Sequence, residues 1–172
     1  MLVFYSERYN SWDLYKTRKY NQAFKKAFKS YLEANGIQYD FNKQTGYLKF
    51  SIKLKGKFPA VGFWAKIEEM EYSIYAYSTL ANGWDGKVNY RNLLNFIIKS
   101  NNKFLDKKTV MSFDHGVVEY RATMKCNGVV PSQRMIEASI QYPVVLLECF
   151  GEGIAIPQGA VCIKGTDPDY RE

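Results

Sequence analysis

The chain has 172 residues, of which 47% are hydrophobic and 24% charged, and it carries a net charge of +7. This length predicts a single domain, residues 1–172, and the hydrophobic content is too high for a disordered chain. No stretch of about 18 apolar residues occurs, which argues against a membrane-spanning helix. Three widely spaced cysteines favour reduced thiols in a cytoplasmic protein over a disulfide framework or a zinc site. They are Cys126, Cys149 and Cys162.

The positive charge is concentrated in the first third of the chain, where residues 1–60 contain 12 Lys or Arg against 4 Asp or Glu. Apolar residues at steps of three and four predict a helix over residues 14–35. Ser11 or Asp13 is suited to cap its start, and Asn35-Gly36 to end it. Its opposite face is expected to be basic, and the candidate anion-facing residues on it are Arg18, Lys19, Lys25, Lys26 and Lys29.

Residues 37–80 change to the alternating pattern of β-strands. Residues 47–54 alternate strictly between apolar and polar side chains, and residues 60–67 alternate in the same way. Shorter or more aromatic extended segments cover residues 37–41 and 71–80. Four extended segments joined by short turns predict an antiparallel meander.

The second half returns to a helix, then a strand pair, then a helix. Asn89 is suited to cap a helix that runs to about Asn102. Residues 104–113 and 117–126 read as strands joined by an Asp114-His115-Gly116 turn. Ser132 is suited to cap the last helix, which Pro143 is expected to kink or split. Residues 160–172 form a tail, in which residues 160–164 suit an edge strand.

The predicted fold class is therefore α+β: an antiparallel sheet with helices packed on it, in the order α-β-β-β(-β)-α-β-β-α. In each predicted helix and strand, the apolar residues on the inward side are expected to form the hydrophobic core. Its members are Leu48, Phe50, Ile52, Leu94, Ile97, Val118, Tyr120, Ile136, Ile140 and Leu147.

Residues 88–159 resemble the YbjN-type domain family, named for candidate bacterial sensory transduction regulators. The resemblance rests on the helix ending in Asn101-Asn102, the segments 113–116 and 117–121, Pro131-Ser132 and the Tyr142-Pro143 step. It implies a fold like that of type III secretion chaperones, which often dimerise and bind partner proteins. Those chaperones are typically acidic, whereas this chain is basic.

No catalytic, cofactor-binding or metal-binding constellation is predicted. His115 is the only histidine and suits a turn beside Asp114, without a partner nucleophile. Glu68, Glu69 and Glu71 suit a solvated turn, since they lack the spacing of a calcium loop. No glycine-rich phosphate-binding motif occurs.

Two surfaces remain as candidates for binding. The basic face of the first helix suits ordinary solvation, an acidic partner protein, or nucleic acid or an anionic membrane. The strand aromatics suit a partner surface, unless the last helix or the tail covers them; they are Trp64, Tyr72, Tyr75 and Tyr77. We therefore predict a non-enzymatic protein–protein interaction module, chaperone-like or regulatory and homodimeric, whose partner the sequence does not name. A nucleic-acid-binding module that uses the basic helix is the alternative.

Overall fold

The computed structural model describes residues 18–55, 58, 60–79, 90–103, 109–114 and 117–149, which form three helices and six strands. In chain order these are α1 (Gln22–Ala34), β1 (Tyr39–Asn42), β2 (Tyr47–Lys53), β3 (Ala60–Ile67), β4 (Glu71–Thr79), α2 (Tyr90–Lys103), β5 (Thr109–Asp114), β6 (Val117–Lys125) and α3 (Gln133–Cys149). The predicted α+β class and the element order are confirmed, with four strands between the first two helices.

The six strands form one antiparallel sheet in the order β1-β2-β3-β4-β6-β5. One hydrophobic cluster joins the three helices to a single face of this sheet, because it takes every second residue of the central strands. We call this the helical face and the opposite one the far face. Phe63, Ile74 and Ala122 lie on the helical face and are fully or almost fully buried.

The predicted start of the first helix is wrong. Residues 18–21 are not helical, and the side chain of Asn21 caps α1 by accepting from the backbone N–H groups of Ala23 at 2.9 Å and Phe24 at 3.2 Å. Ser11 and Asp13 lie outside the described residues. The predicted end is confirmed, since Asn35 is the C-cap and Gly36 has a positive φ of 65°.

The predicted core is largely confirmed, with one error of helical phase in α2. Ile97 is 6% exposed and belongs to the cluster, whereas Leu94 is 42% exposed and does not. Leu93 fills the position expected for Leu94. Ile52 is half-buried at the margin of the cluster. The other predicted members are buried, and they are Leu48, Phe50, Val118, Tyr120, Ile136, Ile140 and Leu147.

Asn101 of α2 covers part of the sheet edge formed by β5. Its side-chain amide donates to the Met111 carbonyl at 2.7 Å, and its side-chain oxygen accepts from the Met111 N–H at 2.8 Å. In an antiparallel pair, alternate residues direct their backbone N–H and C=O groups toward the partner strand or away from it. Met111 directs these groups away from β6, toward Asn101. Asn101 therefore occupies the place that a further strand would take at Met111, and this is one way to protect a sheet edge.

The last helix is continuous through Pro143, so the expected split does not occur. Ser132 caps its start, because its hydroxyl accepts from the Met135 N–H at 3.2 Å. Asn89, His115, Gly116 and residues 160–164, for which the sequence predicted a cap, a turn and an edge strand, lie outside the described residues. Among the described helices, none is both long and apolar enough to cross a membrane.

Candidate functional site

The far face carries a row of side chains that crosses all six strands in register. From edge to edge the row runs through Asp40, Lys49, Trp64, Tyr75, Arg121 and Val110. The Lys49 ammonium lies 4.2 Å from the centre of the Trp64 ring, and the Arg121 guanidinium lies 5.5 Å from that of Tyr75. Such contacts are attractive because the ring face is electronegative. The row thus places two neighbouring aromatic rings, Trp64 and Tyr75, between two cations, Lys49 and Arg121.

A second row of the far face lies beside the first and includes Tyr77. Gly62 is opposite Tyr77 in the ladder, and a Cβ atom built on Gly62 would come within 2.5 Å of the Tyr77 ring. The ring therefore lies across the glycine, which leaves room for it. Ser51 and Ser112 occupy the same row and are exposed.

The structure divides the four predicted partner-surface aromatics between the two faces. Trp64, Tyr75 and Tyr77 lie on the far face, where Trp64 is 8% exposed and packs edge-to-face on Tyr47 with the ring centres 5.7 Å apart. Tyr75 and Tyr77 are half-buried. Tyr72 is separated from Tyr75 and Tyr77 by odd numbers of residues, so alternation along the strand places it on the opposite face.

Tyr72 belongs to the core, which corrects its assignment to the partner surface. Its side chain is 0% exposed, its ring packs edge-to-face on Phe28, and its hydroxyl donates to the Met135 carbonyl at 3.4 Å. Burial raises the pKa of the Tyr72 phenol far above its usual range. The group stays neutral at physiological pH and ties β4 to α3.

The five predicted anion-facing residues also divide into two groups. Lys25, Lys26 and Lys29 lie on α1, whereas Arg18 and Lys19 precede it. The Arg18 guanidinium lies 3.8 Å from the Glu68 carboxylate, which the Lys66 ammonium approaches to 2.7 Å. Glu68 is thus part of an ion-pair cluster beside the β3–β4 turn.

Two lysines of α1 lie over aromatic rings of β1 and of the segment that precedes α1. The Lys25 ammonium is 5.5 Å from the centre of the Phe41 ring and 5.8 Å from that of Tyr20. The Lys29 ammonium is 5.4 Å from that of Tyr39. The sequence indicated the lysines and Tyr20 but not Tyr39 and Phe41, since the approach of these two rings depends on how α1 crosses β1.

The described residues contain little that suits catalysis. No group of three His, Cys, Asp or Glu side chains in them is placed to hold a metal ion. Burial, with a smaller contribution from the Glu71 charge, raises the pKa of the Cys126 thiol. A nucleophilic cysteine needs a lowered pKa, so Cys126 is in the wrong environment for that role. The side chains of Cys149, Cys162 and His115 lie outside the described residues.

Comparison with known proteins adds a remote structural match. The crystal structure of YbjN from E. coli, described as a candidate transcription regulator, is similar to this chain at 10% sequence identity with a TM-score of 0.43. The alignment covers 72% of this chain and 84% of that one. No family model and no curated protein matches the sequence. Membership in the YbjN-type family therefore stays a prediction, and function has to be argued from the surfaces.

Proposed function

We propose that the chain is a non-enzymatic protein–protein interaction module, acting in the cytoplasm as a chaperone-like or regulatory adaptor. The observation that carries the proposal is the in-register row of cations and aromatic rings on the far face. Tyr, Trp and Arg are the residues most enriched where protein interfaces derive their binding energy. Arg121 and Val110 at one end of the row are exposed, so a partner reaches the row from the β6–β5 side.

A sheet surface of this composition, exposed at its β6–β5 side, suits a folded partner, and a second copy of the chain is one candidate. In an isologous pairing the same surface of both copies meets, and the exposed Arg121 at the open end of the row is available for such a contact. The proposal therefore includes a homodimer.

Nucleic-acid binding is the second candidate, and the lysines of α1 favour it. The rings beside those lysines are poorly placed as stacking platforms, however. Tyr20 and Phe41 pack edge-to-face at 80°, with Lys25 above both. Single-strand binding proteins instead offer open ring faces on which bases stack. We rank this function below protein binding for that reason.

Photo-crosslinking from the far face tests the proposal. A photoreactive residue is placed at Ser51 or Ser112, both exposed on the far face, and at Asn102, which is exposed on α2, as the control. We expect both far-face positions, and not Asn102, to form an adduct with the same protein in cells. If that protein is a second copy, light scattering gives twice the 20.0 kDa monomer mass. Adducts to nucleic acid, or the same adducts from all three positions, would reject the proposal.

A further inference from the structure

The middle of α1 carries three lysines that form no ion pair with another described residue. We call Lys25, Lys26 and Lys29 the lysine face. Spacings of three and four residues place Lys26 and Lys25 next to Lys29 on the helix surface, where like charges repel. No carboxylate of the described residues forms an ion pair with any of the three. The nearest acidic residue on the helix, Glu33, accepts a hydrogen bond from the Tyr39 hydroxyl instead.

Lys25 lies at the end of the first turn of α1, close to the helix N-terminus. The helix macrodipole places partial positive charge at the N-terminus, where acidic residues are stabilising and basic ones are not. The first turn of α1 contains no acidic residue, and the last turn contains no basic one. The first turn therefore lacks the acidic residues that would offset the positive end of the helix dipole.

Aromatic rings lie beside two of the three ammonium groups, and the Lys25 ammonium also donates to the side-chain oxygen of Gln22. Lys25 lies over Phe41 and Tyr20, and Lys29 lies over Tyr39. The two lysines are one helical turn apart, about 6 Å along the axis. Side chains two residues apart on one side of an extended peptide are separated by a similar distance, about 6.6 Å. Two carboxylates at such positions can each meet one ammonium.

We propose that the lysine face binds an acidic segment of a partner protein, with carboxylates on alternate residues. The inference goes beyond the far-face function, because it assigns a second surface on another part of the molecule and gives its ligand a charge. A protein segment is favoured over nucleic acid because three lysines neutralise few phosphates, and the affinity of nucleic-acid complexes depends on many such contacts.

The test is a fluorescence anisotropy titration with a defined probe. The probe is a labelled ten-residue peptide that alternates Glu with Ser, and the two comparison probes are the same peptide with Gln for Glu and a single-stranded oligonucleotide of equal charge. One variant combines Lys25→Gln, Lys26→Gln and Lys29→Gln. The matched control combines Lys53→Gln, Lys99→Gln and Lys125→Gln, which removes the same charge from exposed positions elsewhere.

We expect the Glu peptide to bind the unaltered protein, and the lysine-face variant to bind it at least tenfold more weakly. The control variant should change the affinity less than twofold, and the Gln peptide should not bind. Equal losses of affinity in both variants would mean that only net charge matters. A tighter complex with the oligonucleotide that depends on the lysine face would mean that this surface binds nucleic acid. Either result overturns the inference. Crosslinks from Ser51 and Ser112 are unaffected by these outcomes, so the far-face proposal stands or falls separately.

Discussion

Replacing Ile97 with alanine is expected to lower the free energy of unfolding by roughly 2–5 kcal/mol. Ile97 is 6% exposed in the cluster that joins α2 to the sheet. The substitution removes buried methyl and methylene groups and leaves a cavity, and both effects destabilise the folded state. Urea denaturation followed by circular dichroism measures the change.

The adjacent residue provides a control of the same residue type. Ile98 is exposed on the other side of α2, so Ile98→Ala should change the free energy of unfolding by about 0.5 kcal/mol or less. Comparable losses for the two variants, or a larger loss for Ile98→Ala, would show that the assigned phase of α2 is wrong.

Asn101→Asp is expected to cost about 1–3 kcal/mol at neutral pH, because the Met111 carbonyl loses its donor and is left beside a carboxylate oxygen. The second hydrogen bond, from the Met111 N–H to the side-chain oxygen, remains possible. Asn102→Asp makes the same chemical change at an exposed position and should have little effect.

The cost of Asn101→Asp should also depend on pH in a defined direction. A protonated carboxyl can donate to the Met111 carbonyl, so the folded state favours the neutral acid and raises its pKa above about 3.9, the value in the unfolded chain. The variant is therefore closest to the unaltered protein below that pH, and its deficit grows as the pH rises through the folded-state pKa. A deficit relative to Asn102→Asp that is the same at pH 4 and pH 7 would contradict the proposed hydrogen bonds.

The pattern in α2 shows why the sequence predicted a helix correctly and its phase incorrectly. The helix contains two parallel stripes of identical or similar residues, each with a spacing of four. One stripe is Leu93, Ile97 and Asn101, and the other is Leu94, Ile98 and Asn102. Periodicity cannot choose between them, since both satisfy the same rule. The choice depends on the edge of β5, where only one asparagine meets the Met111 backbone groups.

The strands were more predictable than the helix boundaries for a related reason. Strict alternation over residues 60–67 determines both the extent and the inward face of β3, and the structure gives the same bounds. The start of α1 is less constrained by the sequence, because Tyr20 continues the apolar spacing of the helix. Tyr20 nevertheless precedes the helix, and its ring packs on Phe41. The capping side chain of Asn21 ends the helical pattern there, and several polar residues in that region could have served the same role.

The candidate surfaces were only partly predictable, because they depend on pairing between strands. The sequence identified Trp64, Tyr75 and Tyr77 as aromatic residues of strands, but Lys49 and Arg121 join them only through the registers of β2 with β3 and of β4 with β6. Long-range register is not encoded in local periodicity. Tyr72 is a different case, because it lies three residues from Tyr75 in the same strand, and local alternation places it on the opposite face, in the core.

The most direct test of the account measures how tightly the partner protein binds a variant that combines Tyr77→Ala with Arg121→Glu. The partner is the protein that the far-face crosslinks capture. Residues of these types at an interface centre often contribute 2 kcal/mol or more each, so isothermal titration calorimetry should show an affinity at least tenfold below that of the unaltered protein. The combination of Ser30→Ala with Lys99→Glu, at exposed positions away from the far face, should leave the affinity unchanged. An unchanged affinity for the Tyr77→Ala, Arg121→Glu variant, with its fold intact by circular dichroism, would contradict the assignment of the far face as the partner surface.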